Sequence, residues 1–143
     1  MTFSGFIDLW RLTKTDKTSI LMWPNSDIQI AEEFKKISQP TNRVLTSDKH
    51  NHWVSALAGR QLIQGFRGWI WTEGLDYWPL EQDVRKMFAG EEFSLELLKK
   101  YNVRFVVIGY QERRDYQANE VFFQSRFPKV LRNDEYNVYK ITN

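Results

Sequence analysis

Cysteine is absent from this sequence, and its absence excludes disulfides, thiolate metal sites and a thiol nucleophile, though it assigns no compartment. Long apolar runs are missing as well. No stretch approaches the roughly 20 apolar residues that a membrane-spanning helix needs. Asp8, Arg11, Lys14, Asp16 and Lys17 interrupt any signal-peptide core at the N-terminus. Neither sign of charge dominates: 20 Lys and Arg stand against 18 Asp and Glu, for a net charge of +2. With no basic block, nucleic acid is not an expected partner. The glycines form neither G-x-x-x-x-G-K nor G-x-G-x-x-G, so no phosphate-cradling loop is present. A G-x-S-x-G nucleophile elbow is lacking too.

What the chain does have is aromatic weight. Aromatic residues make up 15% of the sequence, with six tryptophans. Part of that serves a core, because Trp and Phe bury large areas. Trp also gathers at membrane interfaces and on carbohydrate-facing surfaces. At 143 residues the chain has the size of one domain. Residues 1–24 show no clear period and read as an N-terminal arm, whose Phe6, Ile7, Leu9 and Trp10 are too apolar for a free tail. Residues 25–143 read as a single α/β domain.

Within that domain a helix is expected from Asn25, with Ser26 and Gln29 as a capping box and an apolar stripe of Ile28, Ile30, Ala31, Phe34 and Ile37. Arg43–Thr46 is a short strand, and Trp53–Arg60 a short helix closed by Gly59. A second strand lies in Leu62–Phe66, followed by a glycine-punctuated aromatic segment to Trp71. Helices follow at Leu80–Ala89 and, capped by Ser94, at Ser94–Tyr101. Val103–Gly109 is a near-continuous apolar run, as a central strand covered on both faces requires. A helix over Tyr116–Arg126 precedes two strands, Val130–Arg132 and Val138–Ile141, joined through a turn-rich Asn133–Asn137. The alternation implies a small, mainly parallel sheet flanked by helices on both faces, with a C-terminal antiparallel hairpin.

Ligands in such folds bind outside the carboxyl ends of the strands. Two loops qualify, Asp48–His52 and Tyr110–Arg114. Asp48-x-His50-x-His52 holds both histidines of the chain, and two imidazoles with a carboxylate are able to ligate one divalent ion. Further ligands from Glu73, Asp76 or Glu112 would be needed to close the site. The competing reading has Asp48 capping the next helix and the histidines bonding to backbone. In the second loop Glu112 suits sugar hydroxyls and Arg113 a phosphate or carboxylate, against a plain solvated helix start. Trp69, Trp71, Tyr77 and Trp78 with Glu73 and Asp76 suit sugar binding, core packing or a membrane interface alike.

The runs Val44-Leu45-Thr46-Ser47-Asp48-x-His50-Asn51-His52, Ala56-Leu57-Ala58-Gly59-Arg60 and Gly65-x-x-Gly68-Trp69-Ile70-Trp71-x-x-Gly74-x-Asp76-Tyr77 carry a resemblance. So do Tyr101-x-Val103-x-Phe105-Val106-Val107-Ile108-Gly109, Glu112-Arg113 and the closing Val138-Tyr139-Lys140-Ile141. Over roughly residues 5–143 the chain is similar to the C-terminal soluble domain of large, many-pass membrane proteins of the GT-C glycosyltransferase type. The resemblance implies a tail on the extracytoplasmic face, above a site that uses lipid-linked sugars, with Phe3, Phe6, Ile7, Leu9 and Trp10 as the juxtamembrane entry. The catalytic acid of that family lies in the membrane part, so no residue here inherits it. The chain is then a non-catalytic accessory domain without a cofactor. Its expected partners are the membrane-embedded part and a sugar or lipid-linked headgroup. Candidate contact residues are Asp48, His50, His52, Arg60, Trp71, Glu73, Asp76, Glu112 and Arg113. The alternatives are a free-standing metal-assisted hydrolase using Asp48, His50 and His52, or a protein-interaction module with a Trp-rich surface.

Overall fold

The computed structural model describes Ile7, Trp10 and residues 22–142. Most of the arm expected over residues 1–24 therefore lies outside the described residues. The elements in chain order are α1 (Asn25–Ile37), β1 (Arg43–Leu45), α2 (Trp53–Ala56), β2 (Gln61–Leu62), α3 (Arg67–Thr72) and α4 (Trp78–Ala89). They continue as α5 (Glu92–Lys100), β3 (Val103–Ile108), α6 (Tyr110–Asp115), α7 (Glu120–Arg126), β4 (Lys129–Arg132) and β5 (Asn137–Lys140).

Five strands form one sheet in the order β2-β1-β3-β5-β4. β1 runs parallel to both β2 and β3, whereas β5 pairs antiparallel with β3 and with β4. The sheet is thus mixed, parallel at one edge and antiparallel at the other, and the expectation of a mainly parallel sheet is corrected to that extent. The terminal hairpin causes the difference: β5 folds back into the middle of the sheet, leaving β4 at the edge.

Central β3 is buried from Phe105 to its end, and its side chains alternate between two cores. Val103, Val106 and Ile108 face Val84, Met87 and Phe88 of α4, Leu98 of α5 and Phe123 of α7. Phe105 and Val107 face Ile30, Ala31 and Phe34 of α1 and Trp53 and Val54 of α2. On that second face the Phe34 ring meets Phe105 and Trp53 edge-on, at centroid distances of 5.0 and 5.6 Å. Helices therefore cover both faces, as the apolar run in β3 requires.

Several local expectations change. The backbone carbonyl of Pro24, not the Ser26 side chain, receives the first free amides of α1, from Asp27 and Ile28. Ser94 sits in the first turn of α5, where its hydroxyl accepts from Glu91 N (2.8 Å) and donates to Lys86 O (2.7 Å). The helix expected over Tyr116–Arg126 is broken, because Gln117 takes a left-handed φ of 50° and Asn119 opens a new helix by accepting from Phe122 N. Tyr110–Arg114, read as a loop, is helical (α6), and so is most of the aromatic segment (α3). At Gly90 the chain turns at φ +68°, where a Cβ would also come within 2.6 Å of Phe122.

Candidate functional site

β1 delivers the chain to the carboxyl end of the sheet, where Thr46, Ser47 and Asp48 stay buried before Lys49, His50 and Asn51 turn outward. The turn closes when His52 N donates to Lys49 O (3.2 Å), and His52 is buried again, 2% exposed. A single residue, Asn51, therefore separates an exposed imidazole from a buried one.

The hydrogen-bond partners of His52 fix its tautomer. Val54 N donates to Nδ1 (3.2 Å), so Nδ1 is unprotonated and caps the first turn of α2. Nε2 then carries the hydrogen and donates to Thr46 Oγ1 (3.0 Å), whose own hydroxyl donates to Glu112 Oε1 (2.7 Å). Glu112 comes from α6, after β3, and is fully buried. Its Oε1 also accepts from Ser47 N (2.7 Å) and its Oε2 from Gly109 N (2.8 Å). Burial pushes the His52 pKa well below its usual 6.5, outweighing the pull of the nearby carboxylate. Burial pushes Glu112 the other way. The adjacent imidazole and the donors of Ser47 and Thr46 nevertheless bring its pKa below the ordinary 4.5. Since His52 is neutral at pH 7, the three hydrogen-bond donors hold the charge on Glu112. This unit is saturated. Both ring nitrogens and both carboxylate oxygens are occupied, so it ties β1, α2 and α6 together, and His52 and Glu112 border a cavity of about 140 Å³ with Lys49, Tyr110 and Arg114.

Asp48 belongs to a second, half-open network. Arg67, the first residue of α3, grips it with two donors, Nε to Oδ2 (2.5 Å) and Nη2 to Oδ1 (2.9 Å), and Tyr116 OH adds a third bond to Oδ1 (2.9 Å). Burial would raise the Asp48 pKa, but these donors outweigh it and hold the carboxyl below the usual range. The Tyr116 phenol is pushed up by its burial beside that carboxylate. Arg67 Nη1 continues to Glu81 Oε1 (3.2 Å) at the start of α4, and Arg85 closes on the same oxygen (2.7 Å from Nη2). Two carboxylates and two guanidiniums make the cluster electrically balanced, and it fastens α3 and α4 to the sheet end.

Above this cluster opens a cleft of about 460 Å³, bordered by Ser47, Lys49, His50, Phe66, Arg67 and Gln111. Such a volume falls within the range of small-molecule sites. One wall is aromatic: the His50 ring lies edge-on to Trp69 (centroids 4.4 Å apart) and to Phe66 (5.3 Å). The other wall is polar, with Ser47 Oγ bonded to Gln111 Oε1 (3.3 Å). The Lys49 ammonium makes no hydrogen bond or ion pair with any described residue.

The structure thus brings Asp48 and His50 to one cleft and separates them from the other sequence candidates. His52 and Glu112 are buried and do not border it. Asp48 does not cap α2, since His52 does. Arg60 is remote, at the opposite end of β2, where it donates to Ser38 Oγ and to the carbonyls of Lys35, Ser38 and Ala58. Arg113 turns away from Glu112 to pair with Glu120 (3.0 Å). Trp71, Glu73 and Asp76 are exposed on and after α3, and Asp76 caps Trp78 N (2.9 Å). No group of three His, Asp or Glu side chains poised for a metal ion occurs among the described residues. Sequence reasoning missed Arg67, Tyr116 and Gln111. A lone arginine inside the Gly-Phe-Arg-Gly-Trp run was the available signal for the first of them. No family model and no curated protein sequence matches this chain.

Proposed function

We propose that this chain is an extracytoplasmic accessory domain of a membrane glycosyltransferase-like protein, and that its strand-end cleft contacts a sugar or the sugar-bearing headgroup of a lipid. The observation that carries the reading is the cleft itself. Its floor is a fixed, balanced Asp48–Arg67 pair, its rim carries the polar groups of Ser47, Lys49 and Gln111, and one wall is the aromatic face of His50 and Phe66. Sugars are recognised by such a mixture, in which flat rings stack on C–H faces and neighbouring polar groups accept or donate to hydroxyls. An unpaired Lys49 ammonium adds a point charge that suits a phosphate. The same geometry argues against the metal-assisted hydrolase, because the nitrogens of His52 are committed and His50 points elsewhere. Among the described residues no helix is long and apolar enough to cross a membrane.

Amide chemical shifts recorded against monosaccharides and sugar phosphates test this reading. Saturable perturbation at Ser47–His50, Phe66–Gly68 and Gln111 is the expected result. An unchanged spectrum at millimolar ligand would overturn the proposed contact.

A further inference from the structure

From Trp69 to Pro79 the chain behaves unlike any other part of the domain. Helix α3 contains no buried residue, and Trp71 through Asp76 are exposed one after another. Among them are Trp69 (59% exposed), Trp71 (71%) and Leu75 (63%), and Trp78 (57%) follows as α4 begins. A single exposed apolar residue needs no explanation, but four within ten positions form a contiguous patch. Core packing, one of the readings open from the sequence, does not apply to these rings. None of the three indole N–H groups has a hydrogen-bond partner among the described residues.

We infer that this segment is a seat for a lipid bilayer, inserting Trp69, Trp71, Leu75 and Trp78 at the level of the headgroups. Three observations select that occupant. First, the side chains are mostly indoles, whose apolar body and free N–H match the boundary between acyl chains and headgroups. Second, the six consecutive residues Trp71 to Asp76 are all exposed, so the segment is open to a broad surface. Third, the first described stretch of chain enters at this same end. Asn133, in the β4–β5 turn, holds Ser26 O of α1 (3.4 Å), and Asp27 feels the charge of Lys49 in the cleft loop. Met22, just before α1, is 72% exposed, and the preceding sequence carries Phe3, Phe6, Ile7, Leu9 and Trp10.

Charge specifies the lipid. Trp69 to Pro79 carries Glu73 and Asp76 and no Lys or Arg, and Arg67 just before it is spent on Asp48 and Glu81. The charge of the segment itself therefore gives no attraction to anionic headgroups, and a zwitterionic surface fits. The inference stands without the sugar reading, since Trp71, Leu75 and Trp78 do not border the cleft.

The test is partitioning of the full chain onto phosphatidylcholine vesicles, without sugar, followed by flotation and tryptophan fluorescence. Binding with a blue-shifted emission, quenched by lipids brominated high on the acyl chain and unchanged by added salt, is expected. Trp71→Ser and Trp78→Ser, both outside the core, are each expected to keep the melting temperature and weaken partitioning roughly tenfold. The inference is overturned if the chain does not float, if salt abolishes binding, or if both variants bind like wild type. Self-association through these tryptophans without vesicle binding would also overturn it, making the patch a protein interface. The sugar titration, run without vesicles, fails or succeeds separately.

Discussion

His50 and His52 have the same side chain, leave the same strand and differ in every physical respect. His52 spends both ring nitrogens on Val54 N and Thr46 Oγ1 and is buried beside Glu112. His50 stands in solvent with its ring against Phe66 and Trp69. A strand residue and its neighbour two positions on usually share a face. Here the Lys49–His52 turn reverses the chain between them. One imidazole becomes part of the scaffold and the other part of the surface. A buried polar group that is fully satisfied is a structural element whatever its chemical potential, because a ligand would have to break bonds already made. An exposed group on a rigid base is what a binding site is built from.

The comparison breaks most violently at Glu112. Glu112→Ala leaves Thr46 Oγ1, Ser47 N and Gly109 N buried without their acceptor, so unfolding by urea should show a loss of roughly 3–5 kcal/mol. A loss below about 1 kcal/mol, the net value of an ordinary hydrogen bond, would show that water reaches this carboxylate and that the buried unit is not the fastening described above.

Acid should expose the same unit more gently. His52 has a folded pKa below its ordinary 6.5, so the unfolded chain takes up its proton first. Its contribution is complete above pH 6.5 and declines as pH falls, with a slope of at most about 1.4 kcal/mol per unit from a single proton. Glu112, also lowered, adds its own loss only below 4.5. Between pH 6.5 and 4.5 the slope therefore belongs mainly to His52. His52→Gln should flatten it while lowering stability overall, as denaturation curves at several pH values would reveal. An unchanged slope would mean that His52 is already charged in the folded protein.

The sequence made the skeleton of this pattern readable and its partners unreadable. The apolar run of β3 announced a doubly covered central strand, and the alternation of short elements announced an α/β domain with a terminal hairpin. Both follow from residue type along the chain. That Asp48 to His52 lies at a strand end was equally legible. What remained hidden were contacts across long separations: Asp48 with Arg67 and Tyr116, and Thr46 with Glu112. No local period encodes such pairs. Arg60 and Arg113 show the converse error. Arg113 looked like a cation for an anionic ligand and Arg60 was a candidate contact, yet both are spent, Arg60 on the carbonyls near the end of α1 and Arg113 on Glu120. The place of β5 beside central β3 was missed because nothing local says where a hairpin inserts. The exposure of Trp69, Trp71 and Trp78 was undecided for a related reason, since α3 has no buried stripe to orient it.

The smallest effect on stability is also the sharpest test of the comparison. His50→Ala removes a ring whose only close partners are Phe66 and Trp69, and such edge contacts are worth about 0.5–1.5 kcal/mol in favourable cases. At an exposed position the melting temperature should therefore scarcely move. The cleft loses the His50 half of its aromatic wall all the same. A ligand that stacks there should bind roughly tenfold more weakly, about 1.4 kcal/mol, in the same shift titration that detects it. Arg60→Ala is the matching control, because it removes four hydrogen bonds far from the cleft and should lower stability without touching affinity. If the two substitutions exchanged their effects, the division between a structural half and a binding half of this domain would be wrong. If His50→Ala alone left binding intact, the contact would lie on the polar wall of Ser47, Lys49 and Gln111 instead.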